Sequence, residues 1–189
     1  MTGRDPAVSP GPGLLDLGAL ARAIARPEPF APHDAPFWED PHIAACMLAA
    51  HLDPNTDAAS APPDVVERRV AHLAVALRLG RGGRLLDLGC GPGLYAAAGG
   101  LAIDYRVGDY TRDPLGGPFD AAVLVYLDFG VLDDRGRDAL LDGVRGAVRR
   151  GGRFALDVHA PTRPRPPDAT VAAHASEGGF WRPGPHLVV

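Results

Sequence analysis

The residues that decide the fold are 84–93, RLLDLGCGPG, where an apolar run leads directly into glycines at positions 89, 91 and 93. The next five residues, LYAAA, can begin a helix. A strand, a tight glycine turn and a helix in this order are typical of open α/β sheets, which bind ligands at such turns. Glycine permits a sharp turn and lets a ligand approach the backbone without meeting a β-carbon. The stretch therefore predicts an α/β fold with a ligand-binding turn.

Short apolar runs continue after this turn, separated by glycine and aspartate, as in buried parallel strands. They predict strands at residues 84–88, 119–126 and 153–158, and more weakly at 102–107. Residues 133–149 have the apolar spacing of a helix that packs on one face of a sheet. Because a strand, a helix and a strand in succession form a parallel pair, we expect a mostly parallel, doubly wound sheet.

Three helical patterns precede the sheet. They lie at residues 14–24, at residues 40–52 with Asp40 and Pro41 as its start, and from Pro63 to the glycines that begin at Gly80. The whole pattern predicts four segments: 1–35, a flexible leader with a short helix; 36–80, an N-terminal helical cap; 81–160, the α/β core; and 161–189, a proline-rich loop with a partial C-terminal strand near 185–189.

The composition narrows the classes of partner and compartment. The 189 residues, 46% of them apolar, suffice for one substantial core with appendages. A formal net charge of −4 provides no broad positive surface, so we expect no nucleic-acid partner. Two cysteines are too few for a disulfide framework, and no apolar run is long enough to cross a bilayer. These features predict a cytoplasmic protein without a membrane segment, and they leave its oligomeric state open.

Two details of the glycine turn distinguish between classes of cofactor. Asp87 stands two positions before the first glycine, and the glycine spacing is G-x-G-x-G rather than the G-x-G-x-x-G of dinucleotide-binding turns. A dinucleotide brings a pyrophosphate anion to such a turn, whereas S-adenosylmethionine brings a cationic sulfonium and an amino acid. A carboxylate suits the second ligand. The turn therefore disfavours a dinucleotide-dependent oxidoreductase.

The sequence DLGCGPG at 87–93 resembles motif I of the class I, Rossmann-like methyltransferases that use S-adenosylmethionine. The resemblance implies that this turn lines the amino-acid and ribose portions of the cofactor. It also implies that the chain is a methyltransferase with S-adenosyl-L-methionine as its cofactor. The cofactor-binding residues that it implies in the turn are Asp87, Gly89, Cys90, Gly91 and Gly93.

The resemblance covers most of residues 37–158. GDY at 108–110 resembles the loop after the family's third strand, which implies that Asp109 contacts the adenine and that Tyr110 also borders the cofactor. PFDAAVLVYLDFGVL resembles the fourth strand with its loop, which implies a cofactor contact from Tyr126, and AVRRGGRFALDV resembles the fifth strand. PFWEDPHIAACMLAAHLDPNTDAAS resembles the cap of a branch that acts on small molecules, which implies a small-molecule methyl acceptor.

The sequence is shorter than this family pattern after Gly93, where seven residues before Leu101 stand in place of a helix, a second strand and another helix. The acidic residue expected about 20 positions after the turn to bind the ribose has no secure counterpart. We therefore expect an incomplete methyltransferase sheet with an internal deletion. In the alternative, residues 102–107 form the second strand and Asp104 or Asp109 binds the ribose, although the crossover is then very short. A second functional hypothesis is a non-catalytic cofactor-binding remnant.

Residues after the fourth and fifth strands are candidates for contact with the acceptor, because ligands bind open α/β sheets at the carboxyl ends of strands. Tyr126, Asp128 and Phe129 are candidates to orient the substrate, and an aromatic anchor and a loop cap are equally good interpretations of them. His159 is a candidate general base or an exposed histidine. Residues 53–64 carry some acidic positions of a calcium loop but lack its glycine and bidentate glutamate, so we expect no metal site.

Overall fold

The computed structural model describes residues 16–25, 28–31, 37–57, 59–160 and 173–188. The chain divides into two compact units, one formed by Pro32–Arg165 and the other by Met1–Ala31 with Pro166–Val189. The flexible leader expected at the N-terminus, up to residue 15, and the proline-rich loop expected after residue 160 lie outside the described residues. The larger unit contains every residue of the glycine turn.

The described α-helices lie within the predicted helical segments, and one of them begins at its predicted cap, Asp40. Asp40 accepts hydrogen bonds from the backbone N–H groups of His42 (2.9 Å) and Ile43 (3.0 Å), and Asp133 accepts one from Gly136 (2.7 Å). The α-helices are α1 Leu17–Ala23, α2 Pro41–Leu52, α3 Pro63–Leu77, α4 Leu94–Ala98 and α5 Asp134–Ala147, and short 3₁₀ helices lie at Phe37–Glu39 and Asp128–Val131. Each cap satisfies N–H groups that the helix itself leaves unpaired.

The larger unit has a mixed α/β fold around a three-stranded parallel sheet. Its strands are β1 Leu85–Leu88, β2 Phe119–Leu124 and β3 Val148–Leu156, in the spatial order β1-β2-β3. Leu86 is opposite Ala122, and Ala122 is opposite Phe154. The predictions of parallel strands at 84–88, 119–126 and 153–158 are confirmed, with ends that differ by a few residues.

Helices cover both faces of the sheet. Side chains alternate between the two faces along β2, so successive residues of this strand contact helices on opposite sides. Ala122 and Leu124 pack with Leu140 and Val144 of α5 in one buried cluster. Ala121 and Val123 point the other way and pack with Leu77 at the end of α3. The helix that precedes the glycine turn is thus part of the core of the larger unit.

The prediction of a strand at residues 102–107 is wrong. These residues form no strand, and all of them are exposed. The reason is the length of α4, which at five residues advances the chain only about 7 Å, whereas β1 is about 13 Å long. α4 itself therefore does not reach back to the beginning of β1, where a parallel neighbour of β1 would have to start.

The two glycines that directly follow α4, Gly99 and Gly100, end this helix. Gly100 has a left-handed backbone (φ +64°), its N–H donates to the carbonyl oxygen of Ala97, and the N–H of Leu101 donates to that of Ala96, both at 3.0 Å. This pair of bonds is a Schellman motif, which satisfies the last carbonyl groups of a helix and stops it. The shortness of the helix is therefore encoded locally.

The third strand and the C-terminal region extend the predicted elements. β3 begins at Val148 rather than at residue 153, and its pairing with β2 shifts register between Phe119 and Ala121. In the smaller unit, His186–Val188 forms β5, as expected for the partial C-terminal strand, and pairs antiparallel with an unpredicted strand, β4 His174–Ser176. Among the described helices, none combines the length and the apolar character that a membrane crossing requires.

Candidate functional site

The glycine turn after β1 has a backbone that only glycine adopts without strain. Gly89, Gly91 and Gly93 have φ values of +64°, +53° and +78°. A β-carbon on Gly91 would meet little, since the nearest atom, Nε2 of His51, lies 3.9 Å from its position. The backbone at Gly91 is therefore open to the close approach of a ligand.

Asp87 carries a partly buried carboxylate directly before this turn. It is the third residue of β1, and its Oδ1 atom is shielded from solvent and has no hydrogen-bond partner. Burial raises the pKa of Asp87 to about 6. An ionised carboxylate without a partner is costly inside a protein, so this group is suited to a cationic or hydrogen-bond-donating ligand.

Two more carboxylates lie at the same edge of the sheet, because β1, β2 and β3 are parallel and end together. Asp128 follows β2, and Asp157 follows β3. Burial raises the pKa of Asp128, and the negative charge of Asp157 raises it further. Burial and the charge of Asp87 likewise raise the pKa of the Cys90 thiol. The edge therefore has a negative electrostatic potential around the glycine turn.

The loop after β2 is held in a strained conformation at this edge. Tyr126 and Leu127 both have left-handed backbones, with φ values of +78° and +71°, which are unfavourable for side chains of this size. The N–H of Leu127 donates to Oδ1 of Asp157 (2.7 Å), and the hydroxyl of Tyr126 donates to the carbonyl oxygen of Asp57 (3.4 Å). These bonds fix Tyr126 between the sheet and the segment that joins α2 to α3.

Two residues of the predicted cap reach the site, and the sequence alone did not indicate them. Arg69 of α3 donates to the hydroxyl of Tyr95 (3.1 Å), which raises the pKa of Arg69, and the charge of Asp157 adds to this effect. His51, in the last turn of α2, is 2.6 Å from the hydroxyl oxygen of Ser60 through Nδ1. A histidine or an arginine at a helical position carries no local signal of such a role, because only tertiary packing brings it to the turn.

The third glycine of the turn is covered by the chain itself. A β-carbon on Gly93 would collide with the hydroxyl of Tyr105 and would lie 2.8 Å from Cδ1 of Ile103. The Tyr105 hydroxyl also donates to the carbonyl oxygen of Pro92 (2.8 Å). Ile103 and Tyr105 thus cover Gly93. Asp104, which lies between these two residues in the sequence, is exposed.

The remaining predicted site residues differ in their surroundings. The carboxylate of Asp109 accepts from the N–H (2.9 Å) and the hydroxyl (2.6 Å) of Thr111, and these bonds lower its pKa. Tyr110 packs against the core, with Cε1 3.8 Å from a β-carbon position on Gly89, and burial raises its pKa. His159 is exposed beyond the end of β3. The structure brings Tyr110 and Asp128 to Gly89 of the turn, directly after Asp87. Tyr126 contacts the segment that joins α2 to α3, and the carboxylate of Asp109 is engaged by its own loop.

Within the part of the chain that the structure describes, no group of three or more histidine, cysteine or acidic side chains could hold a metal ion. The acidic residues of the calcium-like loop have local partners, since Asp53 binds Asn55 and Asp64 binds Arg68. Comparison of the chain with protein-family models, with curated proteins and with solved structures finds no match.

Proposed function

We propose that the larger unit is a Rossmann-like domain of the class I methyltransferase type, and that it transfers a methyl group from S-adenosyl-L-methionine to a small-molecule acceptor. The observation that carries this proposal is the shielded, unpartnered Oδ1 of Asp87 beside the open backbone of Gly91. A buried carboxylate of this kind is stabilised by a ligand that brings a positive charge or N–H donors to it.

The charges at the turn favour this cofactor over a dinucleotide. S-adenosylmethionine carries an ammonium group and a sulfonium, and both are attracted by a negative potential. A dinucleotide would bring its pyrophosphate close to Asp87 and Asp128, where like charges repel. The raised pKa values of both carboxyl groups indicate that each of them lacks a compensating cation.

The order of the strands supports the Rossmann-like interpretation. In the doubly wound order 3-2-1-4-5-6, the first, fourth and fifth strands are neighbours. β1, β2 and β3 are the segments whose sequences resemble those three strands, and they are adjacent in the same order. The carboxyl ends of the strands, where such folds bind ligands, carry Asp87, Tyr126, Asp128 and Asp157.

The side chains present fit one half of the cofactor better than the other. Asp87 suits the amino group, Gly91 allows the close approach of the ligand to the backbone, and Arg69 is a cation suited to the carboxylate. When bound, the cofactor supplies a methyl group activated by the positive charge on sulfur. On the ribose side, Ile103 and Tyr105 lie against Gly93 where an acidic side chain is expected.

The contacts of Ile103 and Tyr105 with Gly93 favour a second candidate function, that of a non-catalytic cofactor-binding remnant. In this case the chain binds S-adenosylmethionine or its demethylated product weakly, because Tyr105 and Ile103 leave no room for the ribose at Gly93. The two candidates differ in whether methyl groups leave the cofactor. Release of the labelled methyl group from S-adenosylmethionine to an acceptor supports the first candidate, and binding without any transfer supports the second.

Calorimetric titration of the full chain with S-adenosylmethionine and with S-adenosylhomocysteine tests the proposal. Gly91→Asn should abolish binding, because asparagine tolerates the left-handed backbone but its side chain would fill the open space. Gly82→Asn is the matched control, since Gly82 has a φ of +74° with no atom within 4 Å of its β-carbon position. Absence of binding by the unmodified chain, or equal binding by the Gly91→Asn variant, contradicts the proposal.

A further inference from the structure

His51 combines three features at the mouth of the glycine turn. It is partly buried at the end of α2, and its Nδ1 atom is 2.6 Å from the Ser60 hydroxyl oxygen. Its other ring nitrogen, Nε2, is directed to Gly91 and lies 3.9 Å from the β-carbon position of that glycine. A histidine with one nitrogen held by a hydroxyl and the other facing a binding site has the arrangement of a general base.

We propose that His51 is the general base of the methyl transfer and that the acceptor is a small molecule with a phenol-type hydroxyl. This inference rests on the proposed function and names the acceptor class of the same site. It assigns the proton-accepting role to the cap and not to His159, which is exposed beyond the end of β3.

The protonation state of His51 suits this role. Burial lowers the pKa of His51, so the ring is neutral at neutral pH. If Nδ1 carries the hydrogen and donates it to Ser60, the lone pair of Nε2 faces the turn. Ser60 would then select the tautomer, as the partner of one ring nitrogen does for other functional histidines.

The acceptor class follows from the strength of this base. A neutral imidazole is a weak base that removes protons readily only from acidic groups, and a phenol is more acidic than an aliphatic alcohol. In the step, the acceptor oxygen forms a bond to the methyl carbon, and the carbon–sulfur bond breaks with its electron pair left on sulfur. The hydroxyl proton passes to Nε2 of His51. The products are the methyl ether, neutral S-adenosylhomocysteine and a protonated imidazole.

The segment that carries His51 and Ser60 also contacts an aromatic side chain at this edge of the sheet. Residues 51–60 carry His51, Ser60 and the carbonyl oxygen of Asp57, which accepts the hydroxyl of Tyr126. The Tyr126 side chain is 44% exposed, so an aromatic face is accessible at this edge. An aromatic acceptor can stack on this face with its hydroxyl toward His51.

Nuclear magnetic resonance of the full chain with ¹⁵N-labelled histidine, at pH 7.5 and with added S-adenosylhomocysteine, tests the geometry directly. We expect Nδ1 of His51 to be the protonated nitrogen and the His51 signals to shift on addition of the ligand, while those of His72, exposed on α3, stay in place. Calorimetry on the same sample measures cofactor binding separately from the state of His51. No binding overturns the proposed function together with this inference, whereas binding with an unshifted His51, or with Nε2 protonated, overturns this inference alone.

The His51→Asn variant tests the chemical role, because asparagine retains a group near Nδ1 but removes Nε2. Transfer of labelled methyl groups to phenol, catechol or tyramine should fall by about 100-fold or more, while the affinity for S-adenosylhomocysteine changes by less than about twofold. His72→Asn is the matched control and should change neither quantity. Equal transfer by the His51→Asn variant overturns the role of the base, and no transfer to any of the three phenols by the unmodified chain overturns the acceptor class.

Discussion

The Oδ2 atom of Asp128 lies 2.8 Å from the position that a β-carbon would take on Gly89, closer than such atoms approach in proteins. A residue with a β-carbon at position 89 would need both a strained left-handed backbone and a shift of the Asp128 carboxylate. This contact joins the turn after β1 to the loop after β2. It makes the position of Asp128 depend on the first glycine of the turn.

Gly89→Ala should therefore destabilise the chain more than Gly100→Ala does. Both glycines have a φ of +64°, but a β-carbon on Gly100 would meet no atom within 4 Å. The Gly100→Ala variant isolates the backbone cost, about 1–2 kcal/mol, and Gly89→Ala adds the displacement of Asp128. Urea unfolding of the two variants measures the difference. Equal losses in the two variants would show that the Asp128 contact is not restrictive.

Asp87→Asn should stabilise the fold while it abolishes cofactor binding. The folded-state pKa of Asp87, about 6, lies above the ordinary value, so the folded chain holds this proton more tightly than the unfolded chain. The contribution of Asp87 to the free energy of unfolding therefore falls as pH rises from about 4 to about 6. Above that range the buried charge costs up to about 3 kcal/mol, which the asparagine variant recovers.

Urea unfolding of the unmodified chain and of the Asp87→Asn variant at pH 4 and pH 7.5 checks this sign. The two should differ at pH 7.5 and coincide at pH 4. Asp113→Asn is a suitable control, since this aspartate is exposed and its carboxylate accepts the N–H of Asp109. A variant that is less stable than the parent at pH 7.5 would refute the account of Asp87 as an unpartnered buried charge.

Tyr105→Ala should strengthen the binding of S-adenosylhomocysteine if the tyrosine obstructs the ribose side of the turn. The substitution removes the contact with Gly93 and the hydrogen bond to Pro92. Calorimetry should give a higher affinity for Tyr105→Ala than for Tyr105→Phe, because phenylalanine retains the ring and loses only the hydroxyl. Weaker binding by the alanine variant would instead assign Tyr105 to the binding surface itself.

A fragment of residues 81–160 should not fold, although its sequence contains all three strands. Without α3, the face of β2 that carries Ala121 and Val123 loses the cover provided by Leu77, and Arg153 loses its bond to the carbonyl oxygen of Ala76. The fragment Pro32–Arg165 is the matched comparison and should unfold cooperatively in urea. Cooperative unfolding of the shorter fragment would mean that the cap is a separable domain.

Much of the fold could be predicted because its signals are local. Asp40 and Asp133 cap helices through their own side chains, and the apolar runs of β1 and β2 are read directly from the sequence. The turn at Gly91 was equally accessible, because its glycines and Asp87 form one continuous motif. These features depend on neighbours within a few positions in the chain.

The rest of the site depends on contacts between distant segments, which periodicity does not encode. His51 faces Gly91 across 40 positions, and Arg69 reaches Tyr95 across 26. Residues 102–107 have the apolar content of a strand, but the short α4 before them decides their path. The apolar pattern was therefore present in the sequence without the geometry that a strand requires.

β1 is an edge strand among the described strands, since it pairs with β2 alone. A free edge offers unpaired backbone groups to other chains, and charged side chains are one means by which proteins prevent such self-association. Asp87 is the charged residue of β1, and a second chain that paired with this edge would shield its carboxylate further. Its carboxylate should therefore also protect the chain from aggregation, so that the variant with higher folding stability, Asp87→Asn, is the one more prone to precipitate at high concentration.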